Sequence, residues 1–132
     1  MIIDYCKKIV GGLAEGLTLQ TSQPINFLSM IDVNSGRITD PKHELHLKSL
    51  KGVVLIFPFA IGSSVGAYSI YSLRVSGTGP NAIVCTRADI TTASGCAISN
   101  IPVVRLPEGV PPIRQGILAK VEADIGRITL QI

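Results

Sequence analysis

The most constraining stretch of this chain is Val53-Val54-Leu55-Ile56-Phe57, five β-branched or large apolar residues with no polar interruption. A strand with one wet face alternates, so a continuous run of this length predicts a strand covered on both faces. Such a strand needs a layer on either side.

Pro58 closes the run, and after Phe59-Ala60-Ile61 comes Gly62-Ser63-Ser64-Val65-Gly66-Ala67-Tyr68, leading into Ser69-Ile70-Tyr71-Ser72-Leu73. Strand, Gly/Ser turn and helix start in that order predict a helix over 65–75, stopped by Gly77-Thr78-Gly79-Pro80. The turn then holds several backbone N–H groups and the positive end of a helix dipole, a point that suits an anion. Gly62 and Gly66 allow close backbone approach, while Ser63 and Ser64 either cap the helix or turn their hydroxyls to a ligand. No Gly-Lys-Ser/Thr follows, so this is not a Walker loop, and the G-x-G-x-x-G spacing is absent too.

Further along, Ala82-Ile83-Val84-Cys85 reads as a second buried strand, 90–99 as a helix weakened by Gly95, and Ile101-Pro102-Val103-Val104 as a third strand. Strand, helix, strand, helix, strand implies a small parallel α/β unit with right-handed crossovers. The rest reads as β. Residues 2–10 are predicted to form one strand and 14–21 another, paired as a hairpin across Gly11-Gly12, with Gly16 as a candidate bulge. In the second strand Leu17 and Leu19 are expected on one face and Thr18 and Gln20 on the other. Residues 32–37 read as a turn centred on Asn34-Ser35-Gly36, and 38–45 as a return strand running into a loop. Pro111-Pro112 keeps an extended loop, and 117–121 and 128–132 read as a closing hairpin.

The 132 residues suit a single domain, 1–132. At 46% hydrophobic and only 16% charged residues, with a mean hydropathy of +0.42, the chain is more apolar than is usual for a soluble protein, which points to a covered face and so to a permanent partner. A net charge of +3 is scattered, and 5% aromatic residues with no Trp leave little for stacking bases, which argues against nucleic acid. No apolar run reaches the ~20 residues of a membrane helix, and the charges of Asp4, Lys7 and Lys8 stand where a signal peptide keeps its apolar core, so a cytoplasmic protein without a membrane anchor is expected. Cys6, Cys85 and Cys96 lack C-x-x-C spacing, and His43 and His46 beside Asp40 and Glu44 have no predicted helix to align them. No metal site is expected in this chain.

The ordered set Gly12-x-Ala14-x-Gly16, Pro24-Ile25-Asn26-Phe27-Leu28, Asp32-Val33-Asn34-Ser35-Gly36, Asp40-Pro41-Lys42-His43-Glu44-Leu45, Val54 to Pro58, Gly62 to Tyr68, Gly79 to Val84 and Ile101 to Val104 resembles the swivel subunit of the aconitase X family. The resemblance implies a swivelling β/β/α barrel like the mobile domain of aconitase. It also implies a larger aconitase X-type partner subunit that carries a 4Fe-4S cluster on its own cysteines. For the archaeal branch it implies dehydration of (R)-5-phosphomevalonate, a phosphorylated hydroxy acid, to trans-anhydromevalonate 5-phosphate. Ser63 inherits the position of the superfamily's catalytic base, and Gly62, Ser64, Val65 and Gly66 are implied to hold the substrate's carboxylate or phosphate. Asn26, Asp32 and His43 match recurring positions that either serve the site or fix loops and the subunit interface. Two departures stand out: Ser29-Met30 in place of Gly-Gly, and Phe59-Ala60-Ile61 in place of a basic residue before the turn. The alternatives are a bacterial-type substrate such as hydroxyproline, or a swivel module without catalysis in which Ser63 is only a cap.

Overall fold

In the computed structural model, which describes residues 1–132, the apolar run forms β6 (Val54–Phe57), and all four of its residues are buried. They are buried in two directions. β6 pairs in parallel with β7 (Ala82–Cys85), which pairs in parallel with β8 (Val103–Arg105). Leu55, Phe57, Ile83, Cys85 and Val103 enter one core, whereas Val54, Ile56, Ala82, Val84 and Val104 enter another. The alternation of a strand's side chains thus feeds two cores, which is why no polar residue interrupts the run.

The first core is roofed by α1 (Gly66–Ser76) and α2 (Ile90–Ser99), which contribute Ile70, Leu73 and Cys96. Gly95 lets the helices meet, since a Cβ there would lie 3.1 Å from the Ala67 Cα and 2.8 Å from the Ile70 Cδ1. The second core is floored by antiparallel strands β3 (Leu13–Gln20), β9 (Leu118–Glu122), β10 (Arg127–Leu130) and β1 (Ile2–Ile3). Ile3, Ala119, Val121, Ile128 and Leu130 point into it. Helices, parallel strands and antiparallel strands therefore stack as three layers.

β3 belongs to both sheets. Residues 13–17 pair antiparallel with β9 and residues 18–20 pair parallel with β6. At the crossing point Thr18 is 3% exposed and Leu17 56%, so the two lie on opposite faces as predicted and the hydroxyl-bearing face is the covered one. The Thr18 hydroxyl is drawn inward because it accepts from the Ile117 N–H at 3.0 Å and donates to the Arg114 carbonyl. Gly16 is not a bulge; it admits the backbone of 52 and 53, with Val53 C only 3.3 Å from where its Cβ would stand. The bulge lies instead in β2 (Lys7–Val10), between Lys8 and Val10.

Residues 2–10 are not one strand and do not form a hairpin with β3. The chain breaks at Tyr5, φ 64°, so that β1 pairs with β10 and β2 with β8. These two stand at opposite ends of the eight-strand order β1-β10-β9-β3-β6-β7-β8-β2, though they are consecutive in the chain. The sheet curls until its edges meet, and the Cys6 N–H donating to the Gly126 carbonyl at 3.0 Å pins that seam. Barrel closure takes the backbone partners that a hairpin would have used. Of the return strand expected over 38–45 only β5 (Arg37–Ile38) forms, paired with β4 (Ile31–Asp32); beyond it side chains hold the loop. The closing hairpin of β9 and β10 forms as predicted, around a 3-10 turn at Ala123–Ile125.

Candidate functional site

β6 runs past Pro58 into an extended segment that pairs with Ile25: the Ile25 N–H donates to the Phe59 carbonyl at 3.3 Å and the Ile61 N–H to the Ile25 carbonyl at 3.0 Å. That pairing sets Asn26 against Gly62. Gly62 has φ 92°, and a Cβ there would stand 2.7 Å from the Asn26 Cγ, so the position requires glycine on two counts. The Asn26 Oδ1 accepts from the N–H groups of Leu28 (3.1 Å) and Ser29 (3.2 Å), which leaves its Nδ2 turned toward Gly62.

At the head of α1 the Ser63 Oγ accepts from the Val65 N–H at 3.2 Å, and the Ser63 carbonyl accepts from the Gly66 N–H at 2.9 Å. The Ser64 carbonyl takes the Ala67 N–H at 3.1 Å. Val65 and Gly66, expected to offer N–H groups to a ligand, have spent theirs inside the turn. The N–H groups of Gly62, Ser63 and Ser64 donate to no protein atom, and all three residues are exposed. The unpaired donors of the turn therefore sit at its start, on Gly62, Ser63 and Ser64, and Ser63 carries both a free N–H and an oxygen that already accepts one.

A second stitch holds this turn. Asp89 caps α2, its Oδ2 accepting from the Thr92 N–H at 2.8 Å, while its Oδ1 accepts from the Ala60 N–H at 2.9 Å. The N–H groups of Thr86 and Arg87 both donate to the Pro58 carbonyl, at 3.2 and 3.0 Å. The Arg87 guanidinium lies over the Phe59 ring, 3.9 Å from its centroid. The segments 58–61 and 86–89 are thus bonded to each other, and both leave the carboxyl ends of parallel strands, where open α/β sheets bind ligands. Neither Arg87 nor Asp89 is legible as a site residue by linear spacing; the signal for each is its place just past a buried strand. Beside them a cleft of about 270 Å³ is lined by Thr21, Ser22, Pro58, Thr86, Val110 and Pro112, under the extended proline loop.

The other two candidates are held elsewhere. Asp32 turns the β4–β5 hairpin, its carboxylate accepting from the Ser35 hydroxyl at 2.7 Å and the Asn34 N–H at 3.3 Å, bonds led by Ser35 that hold it below the usual carboxylate range. That hairpin packs on Thr78, whose hydroxyl donates to the Val33 carbonyl at 2.6 Å, at the far end of α1 from Ser63. Eleven helical residues separate the two ends by roughly 16 Å. His43 is buried, its Nε2 donating to the Pro24 carbonyl at 3.2 Å and its Nδ1 accepting from the Leu45 N–H at 3.0 Å. Both ring nitrogens are committed to backbone, so the histidine braces the approach to Asn26 rather than reaching a ligand.

No three His, Cys, Asp or Glu side chains gather as a metal site. All three thiols are buried; burial pushes Cys85 up to about 12 and raises Cys96 and Cys6 as well, the opposite of what a thiolate ligand needs. The residues of this chain do not fit an iron–sulfur cluster. No helix is long and apolar enough to cross a membrane.

Three layers built on a curled eight-stranded sheet, with a Gly-Ser turn heading the first crossover helix, define a β/β/α swivel-type domain. Residues 3–130 match the family model of the aconitase X swivel domain, and the chain belongs to that family. It is 43% identical to the phosphomevalonate dehydratase small subunit of Methanothrix thermoacetophila, over 89% of this chain and 87% of that one. To the protein of the same name from Thermococcus kodakarensis it is 36% identical, over 94% and 92%. The holo-form crystal structure of Thermococcus kodakaraensis aconitase X superposes with a TM-score of 0.92 at 33% identity, over 100% of this chain and 99% of that one. The solution structure of a UPF0107 protein gives a TM-score of 0.87 at 33% identity, each chain covered in full.

Proposed function

We propose that this chain is the small subunit of a heteromeric dehydratase that converts (R)-5-phosphomevalonate to trans-anhydromevalonate 5-phosphate and water, with Ser63 as the proton acceptor. The names carried by its relatives support the reaction. The observation that carries the base assignment is the Val65 N–H donating to the Ser63 Oγ at the positive end of α1. A serine hydroxyl is a poor base in water; a backbone donor on its oxygen and a helix dipole both favour the alkoxide.

In this reading the alkoxide takes the proton from the carbon next to the substrate carboxylate. The C–H electron pair becomes the new C=C bond, and the hydroxyl on the adjacent carbon departs with its own pair and takes up a proton as water. The free N–H groups of Gly62, Ser63 and Ser64 receive the carboxylate, which gains charge density as the proton leaves. The iron–sulfur cluster belongs to the large subunit. Leu28, Ile61, Val65, Tyr68 and Ile90 are exposed apolar residues around the turn, and the large subunit seats on them and shuts water out.

The test is to co-express the chain with the large subunit of the same genome, reconstitute the cluster without oxygen, and follow dehydration with wild type and Ser63→Ala. Turnover that needs both chains and falls about 10²–10⁴-fold in the variant is expected. An intact pair that leaves phosphomevalonate untouched but dehydrates hydroxyproline refutes the substrate. A Ser63→Ala complex near wild-type activity refutes the base and leaves a swivel module whose serine is a cap.

A further inference from the structure

We infer that Arg87, seated on the Phe59 ring, is the residue that recognises the substrate's terminal phosphate; the inference rests on the phosphorylated substrate proposed above. The carboxylate end of such a substrate lies beside Ser63, because the proton to be removed is on the next carbon. Its phosphate lies several bonds away and needs a different receptor. The Gly62 turn offers only neutral donors, and Phe59-Ala60-Ile61, which leads into it, contains no cation. A dianion in a site that closes against a partner requires a positive charge close by.

Arg87 has the geometry for this. Its guanidinium lies 3.9 Å from the Phe59 centroid, and the residue is exposed. The chain's two ion pairs, Lys8 with Asp124 and Arg127 with Asp4, do not involve it. Asp89, the nearest acid in sequence, has both oxygens committed to the Ala60 N–H, the Thr92 N–H and the Thr92 hydroxyl. A guanidinium stacked on a ring keeps its edge N–H groups free in a planar fork, the shape that takes two phosphate oxygens at once. The stack also orders the side chain before the ligand arrives, which lowers the entropy lost on binding. The backbone beneath is held as well, by the Arg87 N–H on the Pro58 carbonyl at 3.0 Å and by the Thr86 hydroxyl on the same oxygen at 3.2 Å. The phosphate receptor and the base loop are therefore parts of one stitched unit.

The experiment uses the reconstituted two-subunit complex and compares wild type, Arg87→Ala, Arg87→Lys and Phe59→Leu on (R)-5-phosphomevalonate, with inorganic phosphate as a competing ligand. Arg87→Ala is expected to raise KM about 10–100-fold while kcat stays within about threefold, because the lost contact is equal in ground and transition states. Arg87→Lys keeps the charge without the fork and falls between. Phe59→Leu raises KM by a smaller factor, and inorganic phosphate inhibits wild type more strongly than Arg87→Ala. An Arg87→Ala complex that copurifies, turns over and keeps its KM within about twofold overturns the inference while the proposed reaction stands. A wild-type complex with an intact cluster and no turnover overturns the proposed reaction and this inference with it.

Discussion

The Asp89 carboxylate joins two elements that are far apart in the chain, capping α2 through Thr92 and holding the Ala60 N–H at 2.9 Å from its other oxygen. Ala60 is itself buried. Asp89→Ala removes the cap and leaves the Ala60 donor without a partner, which together cost about 2–3 kcal/mol. A fall in Tm of roughly 5–10 °C by thermal circular dichroism is expected. Asp89→Asn keeps an acceptor and falls by less; a Tm unchanged in both variants would show that the tether does not contribute.

Gly62 meets two demands that separate experimentally. Gly62→Ala carries the strain of a residue at φ 92° and the collision with the Asn26 amide, together about 1–3 kcal/mol. Pairing it with Asn26→Gly relieves the collision but not the strain. The double variant is therefore expected to lose less than the sum of the single changes, measured as denaturation midpoints in a double-mutant cycle. Strict additivity would mean that the two residues do not touch.

The buried thiols set a pH limit on the alkaline side. Cys85 titrates near 9.0 when unfolded and, through burial first and then the Asp89 charge, is pushed up to about 12 in the folded chain. A group raised on folding contributes stability that is complete below its unfolded value and is lost as pH rises through the window up to the folded one. Urea midpoints are expected to hold to about pH 9 and decline above it. Cys85→Ala starts lower, because it leaves a cavity, and declines less steeply; equal slopes would assign the alkaline loss to other groups.

The parallel unit was legible because β6, β7 and the two crossover helices each announce themselves locally, by unbroken apolar runs and by Gly and Pro at their ends. The Gly62 turn was legible for the same reason, and Ser63 with it. The barrel seam was not, because Tyr5 adopts a positive φ with no glycine or asparagine to mark it, and closure there depends on β10, at the opposite end of the chain. Thr18 turned inward against its polarity because its partners, at Arg114 and Ile117, arrive from a distant loop. Asn26 was reached through the resemblance alone, and Arg87 and Asp89 by neither route. What joins them to the turn is a set of long-range contacts, through backbone and side chains, that no spacing rule describes.

The double membership of β3 has a consequence for synthesis. As the chain leaves the ribosome, residues 18–20 wait for Val54 to Ile56, and Leu13 waits for Glu122 before its antiparallel half is paired. For almost the whole of translation that half is an open edge bearing Leu13 and Leu17, so the nascent chain is exposed to aggregation until its last strands emerge. Partial chains ending before β9 should therefore collect chaperones, and slowing the final codons should matter more to yield than slowing any others.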